Sequence, residues 1–319
     1  MNHSSIDSAN KQGFAFAIGA ALLFSCKPIF IKWAYSYGID ALSLMLLRMI
    51  LALPVYVFIG VILIQKQNLL QQRNTLPFKH WFGAAFIGLF GYYLASLLDL
   101  KGLELANAQL ERIILYAYPT LVVILGAIIF KHKVSKQQMG ALTLCYSGII
   151  CIFLQDLSLQ GEQVIHGSLL ILLSALSYAV YMLFSKKHID RLGSLLFTCI
   201  SMTSATLATI IHTGLALTFD SLGSSNLNET GLYSTHWEFS NELMAIVLLL
   251  TFAATVIPSF MISEAVKRIG AANAALTGTV GPIMTSIMAV ILLDEIFTVY
   301  HGLGMILVIL GVSHLKPKK

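Results

Sequence analysis

Two full charges, Glu111 and Arg112, stand side by side in the stretch NAQLERIILYAYPT (107–120), just inside an apolar run that continues to Phe130. Lys27, Lys32 and Arg48 are three more charges set within apolar stretches. Placing such a group inside a bilayer costs about 2.5–3.5 kcal/mol on insertion scales, less where a long side chain snorkels. Glu111 is expected to pair with Arg48 or Arg112, because an unpartnered carboxylate is costly there. Counted from the outer end of each stretch, Lys32, Arg48, Glu111 and Arg112 share one layer, with Lys27 nearer the centre and Asp99 at the rim. Four cations then face one anion, and the excess asks for an anionic partner. A ligand carboxylate is the chemistry that fits, with the planar fork of an arginine suited to it. Tyr92, Tyr93, Tyr116 and Tyr118 flank the layer, and Tyr116 follows Arg112 by one helical turn, so both share a face. The expected substrate-binding set is Lys27, Arg48, Glu111, Arg112, Tyr92, Tyr93 and Tyr116. The competing reading is that Lys27 and Lys32 snorkel while Glu111 and Arg48 form a structural clamp.

These groups need elements to hold them. The chain has 319 residues, 57% hydrophobic and 11% charged, with a mean hydropathy of +0.81. Soluble domains carry about 25% charge, so the composition points to an integral membrane protein. Ten stretches approach the roughly 20 apolar residues that a spanning helix requires: about 14–35, 41–64, 80–98, 104–130, 137–154, 167–185, 194–216, 242–262, 271–293 and 299–315. Leu and Ala abound and strict alternation is missing, which excludes a β-barrel. The first stretch lacks a basic leader and a cleavage site and is expected to be retained. With the N-terminus in the cytoplasm, 15 of the 20 basic residues fall inside, among them Lys11, Lys66, Arg73, Lys131, Lys133, Lys186, Arg268 and Lys316, while 11 of the 15 acids fall outside. Both termini are therefore expected to be cytoplasmic.

An internal repeat sharpens the picture. Laying Pro119 on Pro282, an offset of 163, matches ANAQLERIILYAYPTLVVILGAIIF with IGAANAALTGTVGPIMTSIMAVILL and Gly148 with Gly311. The expected domains are two five-helix repeats, 13–154 and 167–315. Five is odd, so a direct repeat in sequence becomes an inverted one in the membrane. The basic Lys131-His132-Lys133 after the fourth span and the acidic Asp294-Glu295 after the ninth agree with the inversion. At Glu111 and Arg112 the second half has Ala274 and Ala275, so the scaffold itself does not need the charges. Inverted repeats are a recurrent build of secondary transporters, in which one half rocks against the other around a midplane site. Pro119, Pro258 and Pro282 interrupt helices, with Pro119 and Pro282 the expected gating bends.

In order along the chain, IKWAYSYGIDALSLMLLR, the Pro119 and Pro282 helices, LLDEIF and GLGMILVILGV resemble EamA-type permeases of the drug/metabolite transporter superfamily. The resemblance covers about residues 13–315. It implies an all-α inner-membrane transporter of a bacterial cell, with ten helices as two inverted EamA-like repeats. Helices one to four and six to nine would surround a central cavity, with five and ten at the periphery. It also implies alternating-access export of a small amino acid or other carboxylate-bearing metabolite, with broad drug efflux or a non-transport scaffold or receptor as alternatives. The acidic turn usual after the fourth helix is replaced here by Lys131-His132-Lys133.

No HExxH, GxSxG or clustered His/Cys points to an enzyme; the histidines, His301 among them, sit at span ends or in loops and are expected to be solvated. Cys26, Cys145, Cys151 and Cys199 all lie in spans, so neither a disulfide framework nor a metal is expected. No Walker sequence is present, so the energy must come from a gradient, with Glu111 the candidate proton carrier. The expected partners are a small-molecule substrate and the lipid bilayer, with no cofactor and no nucleic acid. The oligomeric state is open, a homodimer included. Asn228-Glu229-Thr230 matches a glycosylation acceptor.

Overall fold

Proline placement explains where the helices break. In the computed structural model, which describes residues 3–69, 78–131, 134–223, 240–278 and 280–314, the first span is two helices, α1 (His3–Ser25) and α2 (Lys27–Tyr35), because Pro28 near the start of α2 has no N–H to continue the ladder. Then come α3 (Ala41–Leu69), α4 (Phe78–Gly88), α5 (Ala95–Leu105), α6 (Ala108–Leu115), α7 (Tyr118–Ile129) and α8 (Lys136–Gln160). The rest of the chain forms α9 (Gln163–Leu192), α10 (Ser194–Gly223), α11 (Asn241–Thr251), α12 (Ile257–Thr277), α13 (Val280–Leu293) and α14 (Val299–His314). No strand occurs among the described residues. Arg73, His132, Lys133, Glu238, the Asn228-Glu229-Thr230 triplet and the C-terminal lysines lie outside them.

Eight helices are long and apolar enough to cross a membrane, and two shorter apolar ones, Gly281–Leu293 and Val299–His314, complete the apolar set among the described residues. Phe58, Phe82, Ile128 and Ile291 are each more than 60% exposed, an outward apolar surface that suits lipid. The predicted third and eighth spans each contain a π-helical turn, Leu89–Leu94 and Phe252–Val256, and their first residues are 163 positions apart. In the first, the carbonyl of Phe90 accepts a hydrogen bond from Ser177 of α9, and just past it Ala95 O accepts from Ser174. In the second, Pro258 removes the donor that Ala254 would otherwise use, and the Thr255 hydroxyl donates to Leu250 O.

α8 and α14 pack along each other through glycines. A Cβ on Gly148 would stand 2.5 Å from Gly304 O, and one on Gly311 would stand 2.7 Å from Ala141 O. The two contacts exchange under the offset of 163, since Ala141 and Gly304 are matched positions. A close approach of this kind is what small residues allow in membranes, where lipid is as apolar as leucine and packing supplies the attraction.

Candidate functional site: a buried charged cavity

Three broken spans frame the middle of the bundle. The breaks lie at Cys26, at Tyr116–Ala117 and around Gly278. Pro119 sits at the start of α7 and Pro282 in the first turn of α13, positions where a missing N–H costs little. Both prolines therefore mark the starts of half-helices rather than bends within continuous ones.

Between these half-helices lies a cavity of about 140 Å³. Lys27, Arg48, Asp99 and Arg112 line it, with Tyr92, Tyr116, Tyr118 and Tyr178 as aromatic wall and Ser96, Ser174 and Ser259 as hydroxyls. No lining residue comes from α8 or α14. A wider cleft of about 520 Å³ beside Phe16, Glu264, Lys267 and Arg268 has Arg268 Nε donating to Glu264 at 2.8 Å. The central cavity is the better candidate because it holds a buried guanidinium, Arg48, with open donors.

Lys27 Nζ donates to Asp99 Oδ2 at 2.5 Å, with side chains 13% and 2% exposed. Arg48, on α3, is 2% exposed, and its Nε and Nη2 have no hydrogen-bond partner; Asp99 Oδ1 has none either. A buried guanidinium with open donors is a high-energy arrangement, and a bound carboxylate is the group that relieves it best. Arg112 crosses to the first span, its Nη2 donating to Ala21 O at 3.5 Å. It lies against Gly281, where a Cβ would stand 3.2 Å from Nη2, so a side chain at that position would crowd it. Tyr92 and Tyr181 join hydroxyls at 2.9 Å, and the rings of Tyr118 and Tyr178 meet edge-on at 5.2 Å.

Several expectations need correction. The pairing of Glu111 with Arg48 or Arg112 is not made: Glu111 is fully buried, accepts from neither arginine, and meets the Asp99 carboxyl instead. It lies behind Asp99 and outside the cavity lining. Asp99 is no rim residue but the partner of Lys27, so three cations and one carboxylate share the wall. Lys32 is not on that wall and has Glu295, Glu104 and Glu111 as neighbouring opposite charges. Tyr93 also faces away, its hydroxyl 3.0 Å from His212 Nδ1. His301 is not solvated but fully buried. Thr298 N–H donates to its Nδ1, so the proton is on Nε2, which donates to Asp156 Oδ1 at 3.2 Å. Lys27, Arg48, Arg112, Tyr92 and Tyr116 do meet at one cavity.

The chain matches the EamA-like transporter family over residues 11–154 and 165–315. It belongs to that family. The EamA-like transporters lie within the drug/metabolite transporter superfamily, and the chain is a multi-pass membrane protein. Two relatives from Bacillus subtilis (strain 168) carry transporter names without a substrate. "Uncharacterized transporter YcbK" is 28% identical over 315 residues, 96% of this chain and 94% of that one. "Uncharacterized transporter YcxC" is 26% identical over 211 residues, 66% of this chain and 65% of that one. A solved structure described only as a crystal structure of a protein aligns with a TM-score of 0.62 at 16% identity, covering 96% of this chain and 95% of that one. That likeness speaks for the fold of this EamA-like transporter and for nothing finer.

Proposed function

We propose that this EamA-like transporter moves a small carboxylate-bearing metabolite, such as an amino acid, by alternating access, with Arg48 receiving the carboxylate. The observation that carries the reading is the pair of open donors on a guanidinium that is 2% exposed and faces the cavity. Arg112 adds a second positive charge. Lys27 is already matched by Asp99, and Tyr92 and Tyr116 supply a wall for the rest of the ligand. Ten spans arranged as two inverted halves, with both termini cytoplasmic, belong to the same proposal. They are supported by the π-helical turns 163 positions apart and by the exchanged glycine contacts of α8 and α14. The proposed direction is export, and Glu111 beside Asp99 is the proposed proton carrier.

The test compares extracellular metabolites of cells expressing the wild type and an equally abundant Arg48→Gln variant. A carboxylate-bearing compound that accumulates outside only with the wild type supports the proposal. Best transport of a hydrophobic cation, or undiminished transport by the variant, overturns it.

A further inference from the structure

Beyond the cavity-lining Lys27 on α2, and one turn before the cavity-lining Arg112 on α6, lies a small apolar cluster separate from the main core. Ile29 of α2, Ala108 of α6 and Ala289 of α13 form it, with Trp33, Met288 and Leu293 packed around. A polar layer ties the same three elements together. Glu295, in the turn after α13, accepts from the N–H of Ala108 at 2.7 Å and of Gln109 at 3.2 Å. Gln109 Nε2 donates to Ile296 O at 3.4 Å, and Trp33 Nε1 to Leu292 O at 3.3 Å. Asn107 caps the third free N–H of α6, that of Leu110, at 2.7 Å, and its Nδ2 donates to Asp156 Oδ1 at 2.9 Å. Asp156 in turn holds His301. The first turn of α6, whose amides have no partner within the helix, is thus closed largely by a side chain nearly two hundred residues later.

The matching place in the other half differs in sequence. There the helix restarts at residue 271 after Gly270, which has φ +80° and ψ 161°. Glycine stands where Asn107 stands and has no side chain to cap with. The position matched to Glu295 is His132, between Lys131 and Lys133, so the sequence places no carboxylate there, and positive charge is unfavourable at a helix N-terminus.

We propose that Glu295 and Asn107 form a one-sided latch that holds this end of the cavity shut and biases the protein toward the conformation open at the opposite end. The proposal rests on the alternating-access reading above. Burial pushes the Glu295 carboxyl up, while the two N–H donors and nearby Lys32 act against that shift. The two amide hydrogen bonds are what the carboxyl supplies to the latch, and removing the acceptor is the perturbation that counts.

The test reads accessibility and needs no substrate, so it can fail independently of any transport assay. The four cysteines are replaced, and a single reporter is introduced at the cavity wall by Ser96→Cys. A membrane-impermeant maleimide is then applied to intact cells and to inverted vesicles. Glu295→Ala and Asn107→Gly, the latter copying the other half, are expected to raise labelling from outside by on the order of tenfold, the scale of a lost helix cap, and to lower it from inside. Glu295→Gln, which keeps one acceptor, is expected to fall between, and Gln109→Ala, which leaves the backbone amides capped, to change little. Labelling rates unchanged in the first two variants overturn the latch, and so does an equal rise from both sides, which reports general loosening. A one-sided rise from the cytoplasmic side keeps the latch and reverses the orientation.

Discussion

Asp99→Asn leaves the Lys27 ammonium in a buried cavity without its counter-charge, and Lys27→Met does the reverse to Asp99. With Nζ and Oδ2 2.5 Å apart and side chains 13% and 2% exposed, neither survivor has ready access to bulk water. Removing one partner of such a pair costs about 3–5 kcal/mol, because the desolvation already incurred is no longer offset. For a chain of this size, at about 2 °C per kcal/mol, each single variant is expected to melt roughly 6–10 °C below the wild type in detergent. The double variant Lys27→Met/Asp99→Asn replaces both charges at once, and a buried pair exchanged as a unit is often close to neutral. Its melting temperature is expected near that of the wild type. The decisive quantity is the coupling, read from a thermal-shift cycle of four proteins. Single variants each within about 1 kcal/mol of the wild type, or a double variant that loses the sum of both, would refute the ion pair and return Lys27 to the set of charges open to a ligand.

Glu111→Gln replaces a buried carboxyl that meets a second carboxyl, Asp99, so its stability is expected to match or exceed that of the wild type. In proteoliposomes it should keep substrate exchange and lose accumulation driven by a proton gradient, whereas unchanged gradient-driven accumulation would exclude Glu111 as the carrier. Gly148→Val places methyls against Gly304 O, Val308 and Leu307. It is expected to cost about 1–3 kcal/mol of stability, read as lowered yield and melting temperature, while Gly140→Val, at a glycine with open space around it, leaves both little changed.

Much of this was legible in the residues because it depended on local pattern. Apolar length announced the helices, and Pro119 with Pro282 fixed a register that the π-helical turns also follow. Arg48, Lys27 and Arg112 drew notice as charges where lipid-facing residues belong, and they meet at the cavity. What escaped depended on depth and on distant contact. Asp99 looked like a rim residue because its span was taken to end at position 98, whereas α5 runs on to Leu105. The π-helical turn at Leu89–Leu94 also shifts the angular placement of everything after it, and nothing in LFGYYL announces such a turn. Glu111 was assigned to an arginine on grounds of charge alone, while the fold set it behind another carboxylate. The burial of His301 depends on Asp156, 145 positions away, and no spacing rule links two such residues.

The glycine contact between α8 and α14 also bears on how the molecule is made. α8 ends at Gln160 and its partner begins at Val299, 139 positions later. During synthesis α8 therefore precedes its packing partner by 139 residues, and its face at Gly148 cannot pair with α14 until that helix has emerged. A change that removes or misplaces α14 would undo a packing surface laid down half a protein earlier.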